Sequence, residues 1–125
     1  MKKEISTPDA DSFPGVLSQA IDIGNLVFVS GQINITASGE MIGETVEEKL
    51  KHIMTNIAAV LGAADLSLDD IVKATIYVTD LAQMSEINQF YPKYFSKILP
   101  AREAVGVAAL PLGATIEISV IAHRD

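Results

Sequence analysis

The chain has 125 residues, the size of one ordinary domain, and we expect residues 1–125 to form a single domain with its own core. It carries 9 lysines and arginines against 16 aspartates and glutamates, and this net charge of -7 opposes binding to nucleic acid or to an anionic membrane surface. The lack of cysteine excludes disulfides, thiol catalysis, cysteine-ligated zinc and iron–sulfur clusters. The mean hydropathy of +0.32 is high for so small a chain and slightly favours self-association.

The amino-acid sequence shows neither a targeting signal nor a metal-binding pattern. The two lysines near the start are not followed by an apolar stretch, so we expect no secretory signal. No apolar run approaches the length of about 18 residues that a membrane span needs, and we expect a cytoplasmic protein. The two histidines, His52 and His123, do not stand at a metal-ligand spacing, so we expect no metal site.

The first predicted element is a β-hairpin. Two apolar runs, Ser18–Asp22 and Leu26–Ser30, flank Gly24 and Asn25, and these two residue types favour tight turns. The second run is continuous and rich in valine, which is typical of an interior strand. The preceding segment Ser6–Gly15 is rich in turn residues and predicts a loop.

Two helices are predicted next. Apolar residues recur at helical spacing from Thr45 to Leu61, Thr45 and Glu48 match a capping box, and Gly62 supplies a stop. The second helix is expected from Asp80 or Ser85 to Lys97. Pro92 lies inside it, where a proline predicts either a kink or a later start.

The remaining apolar segments predict three more strands, at Ile71–Thr79, Arg102–Ala109 and Ala114–His123. The predicted order is therefore β-β-α-β-α-β-β, which is typical of an α+β domain. Because both helices are amphipathic, we expect them on one face of the sheet. The other face is left for solvent, a ligand or another subunit.

Two charged residues in the last strands are candidates for chemistry. Alternation in the final strand places Glu117 opposite the apolar set that suits a helix-covered core. Arg102 shares its face with Ala104 and other small residues, which leave room for a planar grip on a carboxylate. A structural ion pair between Arg102 and Glu117 is the alternative, and the pattern alone does not choose between them.

The end of the second strand, Ser30-Gly31, has two interpretations. Gly31 either belongs to a β-bulge or strand-ending turn, or lets the backbone approach a ligand closely. Ser18 and Ser30 have no histidine or lysine near them in the sequence, so we do not expect a serine nucleophile.

Taken in order, these segments resemble the RidA/YjgF family of imine deaminases over nearly the whole chain. The resemblance is carried by Ser18-Gln19-Ala20, Gly24-Asn25, Ser30-Gly31-Gln32-Ile33, Ile71-Val72-Lys73, Asp80-Leu81, Asn88 with Tyr91 and Phe95, Pro100-Ala101-Arg102, Leu110-Pro111 and Ile116-Glu117-Ile118. It implies a chorismate mutase-like fold, a mixed sheet with two helices on one face. It also implies a homotrimer whose helix-free sheet faces meet in a central barrel, with ligand clefts between subunits.

The resemblance implies hydrolysis of small 2-imino acids, such as 2-iminobutanoate and 2-iminopropanoate, to 2-keto acids and ammonia, without a cofactor. Arg102 matches the arginine that grips the carboxylate, and Glu117 matches the glutamate that positions and helps activate water. These two groups are expected to converge on one water-sized gap. Ser30 and Gly31 match part of the cleft wall, and Asn88 is given a supporting role.

One departure from the family pattern keeps a second hypothesis open. Leu17 stands where members often have a tyrosine that reaches toward the ligand, so a hydroxyl is lost from the site. The alternative function is a non-catalytic relative that binds 2-keto acids or similar carboxylates in the same clefts. A third hypothesis, RNA cleavage or inhibition of translation, is disfavoured by the net charge and by the lack of a histidine pair.

Overall fold

Six β-strands form one mixed sheet in the computed structural model, which describes residues 1–125. The strands and α-helices in chain order are β1 (Lys3–Ile5), β2 (Ala20–Asp22), β3 (Leu26–Gln32), α1 (Val46–Gly62), β4 (Ile71–Val78), α2 (Met84–Phe90), β5 (Ala101–Gly106) and β6 (Ile116–His123). The order across the sheet is β1-β2-β3-β6-β4-β5. Only β4 and β5 are parallel, and every other neighbouring pair is antiparallel. The predicted α+β class and the mixed sheet with two helices are confirmed.

The predicted hairpin and first helix are confirmed. β2 and β3 pair through a turn in which Gly24 has a φ of 104°, a conformation that glycine adopts without steric cost. Thr45 and Glu48 form the expected capping box at the start of α1. Gly62 is the last helical residue rather than the residue beyond the end, and Ala63 is the C-cap.

The second helix is shorter than the sequence indicates. α2 ends at Phe90, and the chain continues as a 3-10 turn over Tyr91–Tyr94, so the predicted extension to Lys97 is wrong. The reason is Pro92, whose ring and missing N–H interrupt α-helical hydrogen bonding. A 3-10 turn accepts the proline, and residues 95–100 then connect it to β5.

The core lies between the helices and one face of the sheet. Ile116, Ile118, Val120 and Ala122 of β6 are all buried there, which confirms the predicted alternation. Leu50 and other apolar residues of α1 cover this face, and Ile87 of α2 joins the same cluster. None of the helices has the length and apolar character that a membrane crossing requires.

Two features of the strands were not predicted. β1 is only three residues long, too short to show a period-two pattern, and it pairs with β2 at one edge of the sheet. β5 forms the other edge, and it ends at Gly106 instead of Ala109. All six of its residues are exposed, so this edge is free to meet another molecule.

Candidate functional site

A cavity of about 480 Å³ opens beside the end of β3 and the start of β6. Its walls come from the loop before β2, the end of β3 with the residue that follows, the turn before β6, and β6 itself. The lining residues are Phe13, Val16, Leu17, Ser30, Gly31, Ile33, Pro111, Leu112 and Glu117. Glu117 is the only charged side chain among them, so the cavity is an apolar chamber around one carboxylate.

The Glu117 carboxylate lies directly over Gly31. A Cβ atom built on Gly31 would stand 1.9 Å from Oε2 of Glu117, much closer than two such atoms can approach. Any other residue at position 31 would therefore displace the carboxylate. The absence of a side chain at Gly31 makes room for Glu117.

A β-bulge produces this juxtaposition. Val29 pairs with Val120 and Gln32 pairs with Ile118, so two residues of β3, Ser30 and Gly31, stand opposite one residue of β6. Of the two interpretations of Ser30-Gly31, the β-bulge is therefore confirmed. The Ser30 hydroxyl donates a hydrogen bond of 2.7 Å to the carbonyl oxygen of Ser18, which ties the bulge to the chain before β2.

Burial raises the pKa of the Glu117 carboxyl above its ordinary value. Glu117 is in no ion pair within the chain, so nothing compensates the loss of hydration. A carboxylate in such surroundings is more basic than an exposed one. It is therefore better suited to accept a proton from a bound water molecule.

Arg102 lies elsewhere, on β5, and two groups of the neighbouring α2 segment hold it. Its Nη1 atom donates a hydrogen bond of 2.7 Å to Oδ1 of Asn88, and its guanidinium stands 5.4 Å from the centre of the Tyr91 ring. Tyr91 is buried and packs against Phe95 with ring centres 5.0 Å apart. Arg102 is in no ion pair within the chain, so its charge is oriented but not neutralised.

Arg102 and Glu117 face opposite sides of the sheet. Arg102 pairs with Ala74, which lies in the helix-covered core, whereas Glu117 pairs with Tyr77 on the helix-free face. Within one chain, the expected convergence of guanidinium and carboxylate is therefore wrong. The alternative of a structural ion pair between them is wrong for the same reason.

Between these two strands lies β4, so β5 and β6 are not neighbours. The helix-free face of β5 carries Glu103 instead, which pairs with Lys73 at 2.6 Å. Glu103 and Arg102 are successive residues of one strand, so their side chains point to opposite faces. The Lys73 ammonium holds the pKa of the Glu103 carboxyl below its ordinary value.

The predicted site residues thus fall into two groups. Leu17, Ser30, Gly31 and Glu117 line the cavity, while Asn88 contacts Arg102 on the other side of the sheet. The roles assigned to these residues stay predictions. No group of three or more histidine, aspartate and glutamate side chains stands close enough to hold a metal ion.

Sequence reasoning did not assign a role to Tyr91 or to the apolar walls of the cavity. The spacing of three between Asn88 and Tyr91 places both on one side of a helical segment, and this was a usable signal. Phe13, Val16 and Leu112 lie in turns, where a residue's neighbours do not follow from periodicity.

Comparison with known proteins places this architecture in one family. A family model described as endoribonuclease L-PSP matches residues 10–124. A RutC family protein of Pyrococcus horikoshii is 39% identical over 126 residues, covering 100% of both chains. A bovine 2-iminobutanoate/2-iminopropanoate deaminase is 39% identical over 123 residues, covering 98% of this chain and 90% of the relative.

The crystal structure of TdcF from Escherichia coli with bound serine has the same fold. It superposes with a TM-score of 0.91 at 36% identity, covering 98% of this chain and 99% of that one.

Proposed function

Because this chain belongs to the RidA/YjgF family, which includes imine deaminases, we propose that it hydrolyses 2-imino acids to 2-keto acids and ammonia. The observation that carries the proposal is the unpaired carboxylate of Glu117, half-buried over Gly31 in a mostly apolar cavity. The substrates proposed first are 2-iminobutanoate and 2-iminopropanoate, which the name of the bovine relative specifies.

The chemistry needs little beyond orientation and one proton acceptor. An imine carbon is already electrophilic, so a positioned water molecule can add to it. Glu117 accepts a proton from this water as the carbon–oxygen bond forms, and the same proton is then passed to the imine nitrogen, which returns Glu117 to its ionised form. The resulting carbinolamine loses ammonia as its hydroxyl becomes the carbonyl of the keto acid. No cofactor enters any step.

The substrate carboxylate needs a cation, and we propose that Arg102 of a second copy supplies it. Arg102 lies on the fully exposed edge strand β5 and keeps guanidinium donors that no carboxylate of its own chain occupies. The helix-free face also exposes apolar side chains, among them Phe28 and Val105. A homotrimer that buries this face in a central barrel would bring β5 of one copy to the cavity of the next.

A coupled assay tests the proposal. Threonine dehydratase releases 2-iminobutanoate, and semicarbazide traps it as a semicarbazone in competition with hydrolysis. We expect the chain to lower the initial rate of semicarbazone formation, while the same chain denatured by heat leaves it unchanged. Light scattering would verify that the folded protein is a trimer. If this protein left the rate of semicarbazone formation unchanged, the deaminase proposal would be wrong.

Leu17 supports one alternative. It lines the cavity with an apolar side chain and brings no hydroxyl to bond water or substrate. A chain that binds 2-keto acids without turnover would show saturable binding of 2-oxobutanoate by calorimetry together with no effect in the semicarbazide assay.

We do not propose RNA cleavage. Neither His52 nor His123 lines the cavity, and a carboxylate there repels phosphate. The net charge of -7 acts in the same direction. The cytoplasm remains the proposed compartment.

Asn88→Asp should weaken substrate binding, because an acidic partner would neutralise the guanidinium that the amide only orients. A charge-assisted hydrogen bond contributes about 1.5–3 kcal/mol, so we expect KM to rise roughly tenfold or more with a smaller change in kcat. Steady-state kinetics on 2-iminobutanoate measures both.

Gln83→Glu is the matched control for that substitution. It makes the same amide-to-carboxylate change just before α2, where Gln83 is hydrogen-bonded to the carbonyl oxygens of Asp80 and Thr115 and not to Arg102. An equal rise in KM for both variants would show a general effect of added negative charge and would contradict the role given to Asn88.

A further inference from the structure

Resting on the proposed function, we propose that this chain acts best on 2-imino acids with bulky apolar side chains, such as those derived from leucine and phenylalanine. Phe13, Leu17 and Leu112 would contact the side chain. The cavity and a strained leucine in its wall support this inference independently.

Each polar part of the substrate already has a partner. Arg102 of the second copy binds the carboxylate, and Glu117 holds the water that attacks the imine carbon. The third substituent on that carbon is the side chain, and the wall surface left for it is contributed mainly by Phe13, Val16, Leu17, Ile33 and Leu112. The Ser30 hydroxyl is the one polar side chain besides Glu117, and its proton is already donated to Ser18.

The size of the cavity agrees with a large side chain. In one chain the volume is about 480 Å³, within the range of sites that take drug-sized ligands, and it exceeds what a three- or four-carbon acid fills even beside the guanidinium of the second copy's Arg102. A small substrate would leave water between itself and the apolar walls. A larger apolar group would displace that water and gain binding energy.

Leu112 provides the second observation. It has a φ of 56° and a ψ of 28°, the left-handed region that leucine rarely adopts, and 62% of it is exposed. Asparagine or glycine would adopt this conformation at lower cost, and packing within one chain gives no reason to prefer leucine at an exposed turn. Contact with an apolar ligand accounts for leucine at this position.

A substrate series tests the inference. An L-amino-acid oxidase would generate imino acids from 2-aminobutanoate, norvaline, norleucine, leucine and phenylalanine, with asparagine as the polar counterpart of leucine. Oxidase amounts would be adjusted to equal imine release, and semicarbazide competition would yield kcat/KM for each. We expect kcat/KM to rise at least about tenfold from the two-carbon to the four-carbon side chain, and leucine to exceed asparagine by a similar factor.

Two failures can be told apart in this series. Equal kcat/KM across the series, or values that fall with side-chain size, would overturn the inference and leave the deaminase proposal standing. Hydrolysis of none of the imines would overturn both.

Variants connect the preference to the wall. Leu17→Asn should lower the ratio of leucine-derived to 2-aminobutanoate-derived kcat/KM at least about fivefold. Ile23→Asn is the control, because Ile23 has the same exposed fraction as Leu17, 45%, but lies in the hairpin turn outside the cavity. The ratio for this control should stay that of the native chain.

Leu112→Asn separates the preference from stability. It should lower the same ratio while the melting temperature stays constant or rises, since asparagine tolerates the positive φ. A destabilised variant with an unchanged ratio would contradict the role of Leu112.

Discussion

Glu117→Gln is expected to lower imine hydrolysis by about two to four orders of magnitude, because the amide cannot accept a proton from the attacking water. The substitution keeps the shape of the side chain over Gly31 and the apolar walls. KM should therefore change much less than kcat. In the native chain kcat/KM should increase with pH as Glu117 ionises, with an inflection above the ordinary glutamate pKa near 4.5, because burial raises the pKa of this carboxyl.

The same substitution is expected to stabilise the fold near neutral pH. A raised pKa means that the folded chain binds the Glu117 proton more tightly than the unfolded chain does, so ionisation costs folding free energy. Stability is full at pH values below the unfolded pKa and decreases as the pH rises through the folded pKa. Glutamine removes this loss, so the melting temperature should exceed that of the native chain at pH 7 and match it at low pH.

Glu103→Gln is the control, because ionisation of Glu103 should affect folding stability in the opposite direction. The pKa of Glu103 is lowered by the hydrogen bond and the charge of Lys73, so its ionised form favours the fold. Removing the Glu103 charge should give a melting temperature at pH 7 that is equal to or lower than that of the native chain. If Glu117→Gln were the less stable of the two at pH 7, the proposed cost of burying Glu117 would be wrong.

The position of Glu117 shows how far a sequence pattern can be read. Alternation along one strand is a local property, and it correctly separated Glu117 from the buried Ile116 and Ile118. The capping box at Thr45 is equally local and was equally predictable. Where one residue type interrupts the pattern, as Pro92 does, only the boundary was wrong.

The relation of Arg102 to Glu117 was not predictable, because it depends on strand order. Whether residues of two strands lie on the same face depends on how each strand is paired with the strand between them. Here β4 lies between β5 and β6. Nothing in the composition of either strand encodes that insertion. The cavity walls Phe13 and Leu112 belong to turns, where contacts are set by the path of the chain rather than by periodicity.

Because Arg102 and Glu117 lie on opposite faces of the sheet, one chain alone does not complete the proposed site. The second large effect is therefore expected at Arg102. Arg102→Ala should reduce kcat/KM about a hundredfold or more, because the substrate carboxylate loses a charged partner. Arg102→Lys should restore little of it. Lysine carries a point charge that cannot both stack on Tyr91 and present two parallel donors to a carboxylate.

Mixing two inactive variants locates the site between copies. In the proposed trimer, here mixed from Arg102→Ala and Glu117→Gln chains, a cleft that takes its arginine from one copy and its glutamate from the next is intact when both donors are native. Random assembly at equal amounts gives about a quarter of the clefts in this state, so about a quarter of the native activity should return. Native mass spectrometry would verify that mixed trimers have formed, and each variant alone is the background. Mixed trimers without recovered activity would exclude a cleft built from Arg102 of one copy and Glu117 of another.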